Sequence, residues 1–258
     1  MTILDKIIAN KRKEIEQAKQ KVSIAQLEAT EYFARNTISL KQSLLNSTKP
    51  GIIAEFKRKS PSKGIINEKA KVEDVTKEYC EAGAAGLSLL TDEMYFGGTS
   101  KDLDKARFNK IPILRKDFMV DEYQVLEARA WGADVILLIA EALTKEEVLT
   151  LAKLAKSINL DVLMEIHSED QLTKVNPYLD IVGVNNRNLK TFEVSIQTSV
   201  GLFAKIPDDF VKISESGISL VENIKTLHKV GFRGFLIGEN FMKMKNPGEA
   251  CKEFIHEL

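Results

Sequence analysis

Metal, disulfide and thiol chemistry find little material in this sequence. Only two cysteines, Cys80 and Cys251, occur in 258 residues, and neither stands at the close spacing of a zinc site. Both fall in helical patterns, where a buried, idle thiol is the expected state. The three histidines, His167, His228 and His256, are scattered without ligand spacing, so no metal is expected. No run approaches the roughly 20 apolar residues of a membrane span. The N-terminal stretch carries Asp5 and further charges and lacks the apolar core of a signal peptide. A cytoplasmic location is expected. An excess of one charge is missing too: 37 Lys and Arg balance 37 Asp and Glu. That balance leaves no footprint for nucleic acid or an anionic membrane. Any phosphate must therefore be caught by a local site.

What is present is an alternation. Residues 2–20 place Ile3, Leu4, Ile7, Ile8 and Ile15 among charges, the stripe of an amphipathic helix. Ser23 is placed to cap a second helix containing Ile24, Leu27 and Phe33. A short third segment, Leu40 to Leu45, precedes Lys49-Pro50-Gly51, a loop signal. From Gly51 onward the chain shows eight short apolar runs, at 52–56, 86–90, 111–114, 135–140, 162–166, 181–184, 210–213 and 234–237. Amphipathic segments such as Asp121–Trp131, Thr144–Ile158 and Leu220–Val230 separate most of them. Runs this apolar suit parallel strands buried on both faces. Gly83, Gly132 and Gly231 each sit between a helical pattern and the next run, where a left-handed residue ends a helix.

Eight strands with intervening helices predict an α/β fold, a (β/α)8 TIM barrel with an N-terminal helical extension. A single domain over 1–258 is expected, with 1–49 as the extension and 50–258 as the barrel proper. An open doubly wound sheet is the alternative, since closure is not written in one sequence. No GxGxxG follows the first run, which weakens a dinucleotide-binding reading.

In such barrels chemistry sits where the strands finish. Here the runs end in Glu55-Phe56-Lys57, Arg115-Lys116-Asp117, Glu165, Asn185-Asn186-Arg187, Glu215-Ser216-Gly217 and Gly238. One charge at a strand end is an ordinary rim residue. Two lysines, three glutamates and an arginine at one mouth are costly unless opposite charges or a ligand compensate them, so they point to a site. Ser216-Gly217 after the seventh run, with the turn Gly238–Met242 after the eighth, matches the common phosphate site of barrels. There backbone N–H groups and a helix N-terminus attract the anion. Glycine at 217 and 238 allows close approach; the plainer reading makes both mere turn residues. Glu239 is an awkward neighbour for phosphate, so its main chain, not its carboxylate, is expected to bind.

At this point the run 52–64, Ile-Ile-Ala-Glu-Phe-Lys-Arg-Lys-Ser-Pro-Ser-Lys-Gly, resembles the signature of the indole-3-glycerol-phosphate synthase family. Further stretches follow in order: 89–92 with 95–98, then 112–118, 164–167, 183–189, 214–218 and 235–239. The resemblance covers essentially the whole chain, including the helical extension of about fifty residues. It implies a cofactor-free decarboxylating ring closure in tryptophan biosynthesis. The substrate would be 1-(2-carboxyphenylamino)-1-deoxyribulose 5-phosphate, a small sugar phosphate. A monomer or weak homodimer is expected, with no nucleic-acid or membrane partner.

By that resemblance Lys116 is the general acid for ring closure. Lys57 pairs with the substrate carboxylate and is a candidate second acid. Glu165 is the base, while Glu55 and Glu215 hold the lysines and the substrate hydroxyls. Asn185 and Arg187 bond intermediate oxygens, Ser60 belongs to a loop that closes over the ligand, and Ser216, Gly217, Gly238 and Glu239 cradle phosphate. Phe96 and Phe118 wall the aromatic ring, with core packing as the competing reading. His167 is a supporting residue. Two rivals stand beside this function. A phosphoribosylanthranilate isomerase-like barrel would need a cysteine and an aspartate in the site. The other is a phosphate-binding barrel without catalysis.

Overall fold

A computed structural model describes residues 2–188, 191 and 193–258; Leu189, the last residue of one family-like run, lies outside the described residues. Four helices precede the barrel: α1 (Ile3–Lys21), α2 (Ile24–Glu28), α3 (Glu31–Ala34) and α4 (Leu40–Asn46). The stripe of α1 begins at a capping box, in which Thr2 and Asp5 satisfy each other's backbone N–H. Ser23 caps α2 in the same way through Gln26. The second helix does not run on to Phe33 as its pattern suggests. At Thr30 the backbone turns extended, with φ −72° and ψ 149°. The Thr30 hydroxyl donates back to the Leu27 carbonyl at 2.8 Å, the local competition that makes threonine a helix breaker. A new turn, α3, starts after it.

The barrel strands are β1 (Gly51–Phe56), β2 (Gly86–Leu90), β3 (Ile113–Lys116), β4 (Val135–Ile139), β5 (Asp161–Ile166), β6 (Ile181–Asn185), β7 (Val211–Glu215) and β8 (Gly234–Ile237). All pair in parallel with their chain neighbours, and β8 returns to β1 through Gly51 opposite Gly234, closing the sheet. The open-sheet alternative is thereby excluded. Three strands end later than their apolar runs: β3 carries Arg115 and Lys116, β6 carries Asn185, and β7 carries Ser214 and Glu215. The ladder holds them there, with Lys116 opposite Leu90 and Glu215 opposite Asn185. Polar side chains are thus fixed on rigid strands, not on loops.

The glycines at the helix-to-strand joins behave as expected, with φ +91° at Gly83, +89° at Gly132 and +125° at Gly231. Those that open strands serve another purpose. A Cβ on Gly51 would lie 2.5 Å from Leu44, and one on Gly86 would lie 2.7 Å from Leu40. Leu40 and Leu44, each 1 % exposed, pack with Ile53, Leu114, Ile181 and Ile213 inside the barrel. So α4 plugs the N-terminal end of the barrel, and the absent side chains make room for the plug.

Buried charge also fastens the extension. At that lower end the Asp134 carboxylate accepts from Arg35, Arg107 and the backbone N–H groups of Ile38 and Ile113. At the other end Lys11 of α1 lies buried, its ammonium 3.0 Å from both Asp92 and Asp117 and 2.7 Å from Glu14. Burial opposes ionisation of Asp117, but Arg115 and Lys11 outweigh it and hold its pKa at about 2. Asp92 caps the turn that carries Phe96, and Asp117 stands between Lys116 and Phe118. The extension is therefore clamped to the segments that shape the mouth of the barrel. No helix among the described residues is long and apolar enough to cross a membrane.

Candidate active site

At the C-terminal end of the strands lies a cavity of about 450 Å³. Glu55, Lys57, Ser60, Phe96, Lys116, Phe118, Glu165, Asn185, Arg187, Glu215, Ser216, Gly217, Gly238 and Glu239 all line it. Residues drawn from 55 to 239 in the chain thus meet in one hollow.

Its centre is an ammonium between two carboxylates. Lys116 at the end of β3 donates to Glu165 Oε2 at 2.8 Å and to Glu215 Oε2 at 2.9 Å. Burial disfavours the charge on Lys116, yet Glu165, Glu215 and Glu55 overcome that and raise its pKa above the ordinary lysine value. The proton is therefore in place whenever a stronger base appears. Glu165 has its other oxygen bonded to Asn185 Nδ2 at 3.0 Å. Burial would raise the Glu165 pKa, but Lys116 and His167 prevail and lower it, leaving a carboxylate able to accept a proton. A second pair, Lys57 and Glu55, meets at 2.7 Å at the end of β1. The clustered charges are thus compensated by each other before any ligand arrives.

Glu215 differs from its neighbour. Burial raises its pKa, Lys116 opposes, and Glu165 and Glu55 raise it further, to about 7. One of its oxygens, Oε1, is buried without a hydrogen-bond partner among the described residues. Two carboxylates sharing one cation thus divide the labour: one ionised, the other protonating near neutrality. The sign of the stability effect follows. The folded pKa lies above the ordinary carboxylate value of 4.5, so the stability this group lends is lost as pH rises from that value to about 7. Glu215→Gln removes the titration. Its melting temperature relative to the unmodified protein is predicted to rise by a few degrees between pH 5 and pH 8, read by circular dichroism. A constant or falling difference would contradict the assignment.

Glycines shape this end as well. A Cβ on Gly183 would meet Glu215 Oε1 at 2.4 Å, and one on Gly238 would meet Glu55 Oε1 at 2.4 Å. The room on the Cβ side of Gly238 is taken by Glu55, which leaves only its backbone N–H for an oxyanion. Gly183, inside an apolar run, gives no sign of its neighbouring carboxylate in the sequence. After β7, Ser216 and Gly217 both take left-handed backbone, at φ +67° and +70°, a strained choice for serine. Glu239 begins the turn Glu239–Met242, and its carboxylate lies 3.8 Å from Arg187 and 3.7 Å from Lys63. Both cations offset its charge at the edge of the cavity.

Phe96 and Phe118 approach with ring centroids 6.0 Å apart and planes at 38°. Both are half-buried and line the cavity, so they form a wall and not only core. Ser60 lies in a small hairpin, Lys59–Ser60 against Gly64–Ile65, that follows β1. His167 places Nε2 3.4 Å from Glu165 Oε1, beside the centre and behind the carboxylate. Cavity residues missed in the sequence include Ile3, Leu4 and Ile7 of α1, and Leu137 and Ile139 of β4. They supply apolar wall, and only the helical stripe of α1 announced a buried face. Cys80 and Cys251 lie in the helices Val72–Glu81 and Pro247–His256, away from the cavity. No cluster of metal-binding side chains occurs among the described residues.

Among solved structures, 3-hexulose-6-phosphate synthase from Salmonella typhimurium superposes with a TM-score of 0.62 at 11% identity, covering 80% of this chain and 99% of that one; at that identity the likeness shows the fold alone. The indole-3-glycerol phosphate synthase of Bacteroides thetaiotaomicron is 49% identical over 257 residues, 99% of this chain and 98% of that protein. The enzyme of the same name from Polaromonas sp. is 43% identical over 256 residues, 97% of each chain. The family model described as indole-3-glycerol phosphate synthase matches residues 4–254, and the chain belongs to the indole-3-glycerol phosphate synthase family.

Proposed function

We propose that the chain closes and decarboxylates 1-(2-carboxyphenylamino)-1-deoxyribulose 5-phosphate to indole-3-glycerol phosphate, carbon dioxide and water. The observation that carries this reading is the Lys116 ammonium, bonded at once to Glu165 and Glu215 in a cavity shared with the Lys57–Glu55 pair. The chemistry demands such a set. The aromatic carbon bearing the carboxylate attacks the ribulose ketone, and the developing alkoxide takes a proton from Lys116. Carbon dioxide then leaves, and its bonding electrons restore the aromatic ring. In the last step the new hydroxyl departs as water with a proton from Lys57, while Glu165 removes the ring proton that completes the indole. An acid and a base poised in one pocket perform these transfers without diffusing species.

The remaining groups hold the substrate. Lys57 pairs with the anthranilate carboxylate before decarboxylation. Glu55 orients Lys57, and Glu215 orients Lys116 and bonds a substrate hydroxyl through its spare oxygen. Asn185 and Arg187 bond the intermediate's oxygens, and Phe96 and Phe118 stack against the ring. The backbone at Ser216, Gly217, Gly238 and Glu239 takes the phosphate, with Ser60 closing from the hairpin side. Among the described residues no cysteine lines the cavity, and the isomerase-like reading needs a thiol there beside its aspartate.

The test is direct. Purified protein given this substrate is expected to release one carbon dioxide per indole formed, followed by indole fluorescence. Isomerisation without gas release would support the isomerase-like barrel, and tight binding without turnover a non-catalytic one.

A further inference from the structure

Side chains alternate along a strand, so where Asn185 of β6 faces the cavity, Asn186 is turned away from it. Asn186 is 2 % exposed, and a buried amide must satisfy two donors and an acceptor. Its Nδ2 donates to Ser214 Oγ at 2.9 Å and to the Ser216 carbonyl at 3.1 Å. Its Oδ1 accepts from Ser199 Oγ at 2.8 Å and from the Ser199 backbone N–H at 3.3 Å. Ser199 Oγ and Ser214 Oγ stand 2.7 Å apart. Each hydroxyl has one proton, and that of Ser199 goes to Asn186. The proton between the serines therefore belongs to Ser214, and the three side chains close a ring with one direction.

One bond leaves the ring, and it reaches the site. A trans peptide fixes C=O and the following N–H on opposite sides of one plane. By holding the Ser216 carbonyl, Asn186 sets the plane of the Ser216–Gly217 peptide and aims the Gly217 N–H the other way, away from itself. Ser216, on one side of that peptide, is left-handed at φ +67°, a conformation that in a serine persists only where surrounding bonds impose it. We propose that Asn186 is the positioning residue of the phosphate cradle, fixing the aim of the Gly217 amide at a phosphate monoester it never touches. This inference rests on the reading of Ser216 and Gly217 as phosphate ligands.

Two substitutions separate positioning from general support. Asn186→Asp keeps an acceptor for Ser199 and lets Ser214 donate, but sets a carboxylate against the Ser216 carbonyl. Ser199→Ala opens the ring and leaves the tie to Ser216 in place. With inorganic phosphate as competitor of the substrate, Asn186→Asp is expected to raise both the inhibition constant and KM about ten-fold, with kcat within about two-fold. Affinity for anthranilate, which carries no phosphate, should not change. Ser199→Ala should lower the melting temperature and leave phosphate inhibition as it was. Asn186→Ser, too short to reach Ser216, should repeat the phosphate loss if the aspartate variant does not fold. Unchanged phosphate inhibition in Asn186→Asp or Asn186→Ser, or an equal loss in Ser199→Ala, overturns the proposal. If phosphate does not compete in the unmodified protein, the cradle itself is wrong and the inference falls with it.

Discussion

Lys116→Ala is expected to lower kcat by about 10²–10⁴-fold, the usual scale for loss of a positioned general acid. The loss should precede every visible product: neither carbon dioxide nor indole should form, because the alkoxide of ring closure goes without its proton. The substitution also strips the shared cation from Glu165 and Glu215, which are 3 % and 1 % exposed. Breaking a buried pair from one side costs about 3–5 kcal/mol, and here the carboxylates can relieve it by taking up protons. The variant should therefore melt lower at pH 8 than at pH 5, relative to the unmodified protein. Activity is to be measured at a temperature where circular dichroism shows the folded state. A rate near that of the unmodified protein would remove Lys116 from the mechanism.

Glu165→Gln should cost about as much in kcat, about 10²–10⁴-fold, yet stop the reaction elsewhere. The amide still accepts from Lys116, and Glu215 still flanks the ammonium at 2.9 Å, so ring closure keeps its acid. What is gone is the acceptor for the ring proton. In a single turnover with labelled carboxylate, carbon dioxide should appear well ahead of indole fluorescence, and a hydroxylated indoline should accumulate. Loss of both signals together would place Glu165 in ring closure instead. Fluorescence keeping pace with gas release would give the base's task to another residue.

Much of this centre was legible because barrels put chemistry in a predictable place. Apolar runs mark the strands, and the polar residues at or just past the end of a run, as at Glu165 and Lys116, mark the mouth. The left-handed glycines at 83, 132 and 231 were legible for a similar reason: a helix end has few ways to turn into a strand. The place of the extension in the site was not. The stripe Ile3, Leu4, Ile7, Ile15 says that α1 buries a face, but not that this face lines the cavity. Lys11 falls on that stripe, one helical step from both Ile7 and Ile15, and a charge in an apolar stripe was the available sign of a buried pair. Its partners Asp92 and Asp117 lie too far along the chain for spacing to reveal. Gly183 and Gly238 were illegible in another way. A sequence shows the missing side chain but not the carboxylate, Glu215 or Glu55, that fills its place.

The most direct measurement is a crystal structure with an unreactive substrate analogue whose ketone is reduced to an alcohol. The phosphate should lie against the amides of Ser216, Gly217 and Gly238, and the ring between Phe96 and Phe118. Lys116 should stand about 3 Å from the alcohol oxygen and Lys57 about as near the aromatic carboxylate, as proton transfer requires. A phosphate seated at the opposite end of the cavity, or Lys116 turned from that oxygen, would contradict the account.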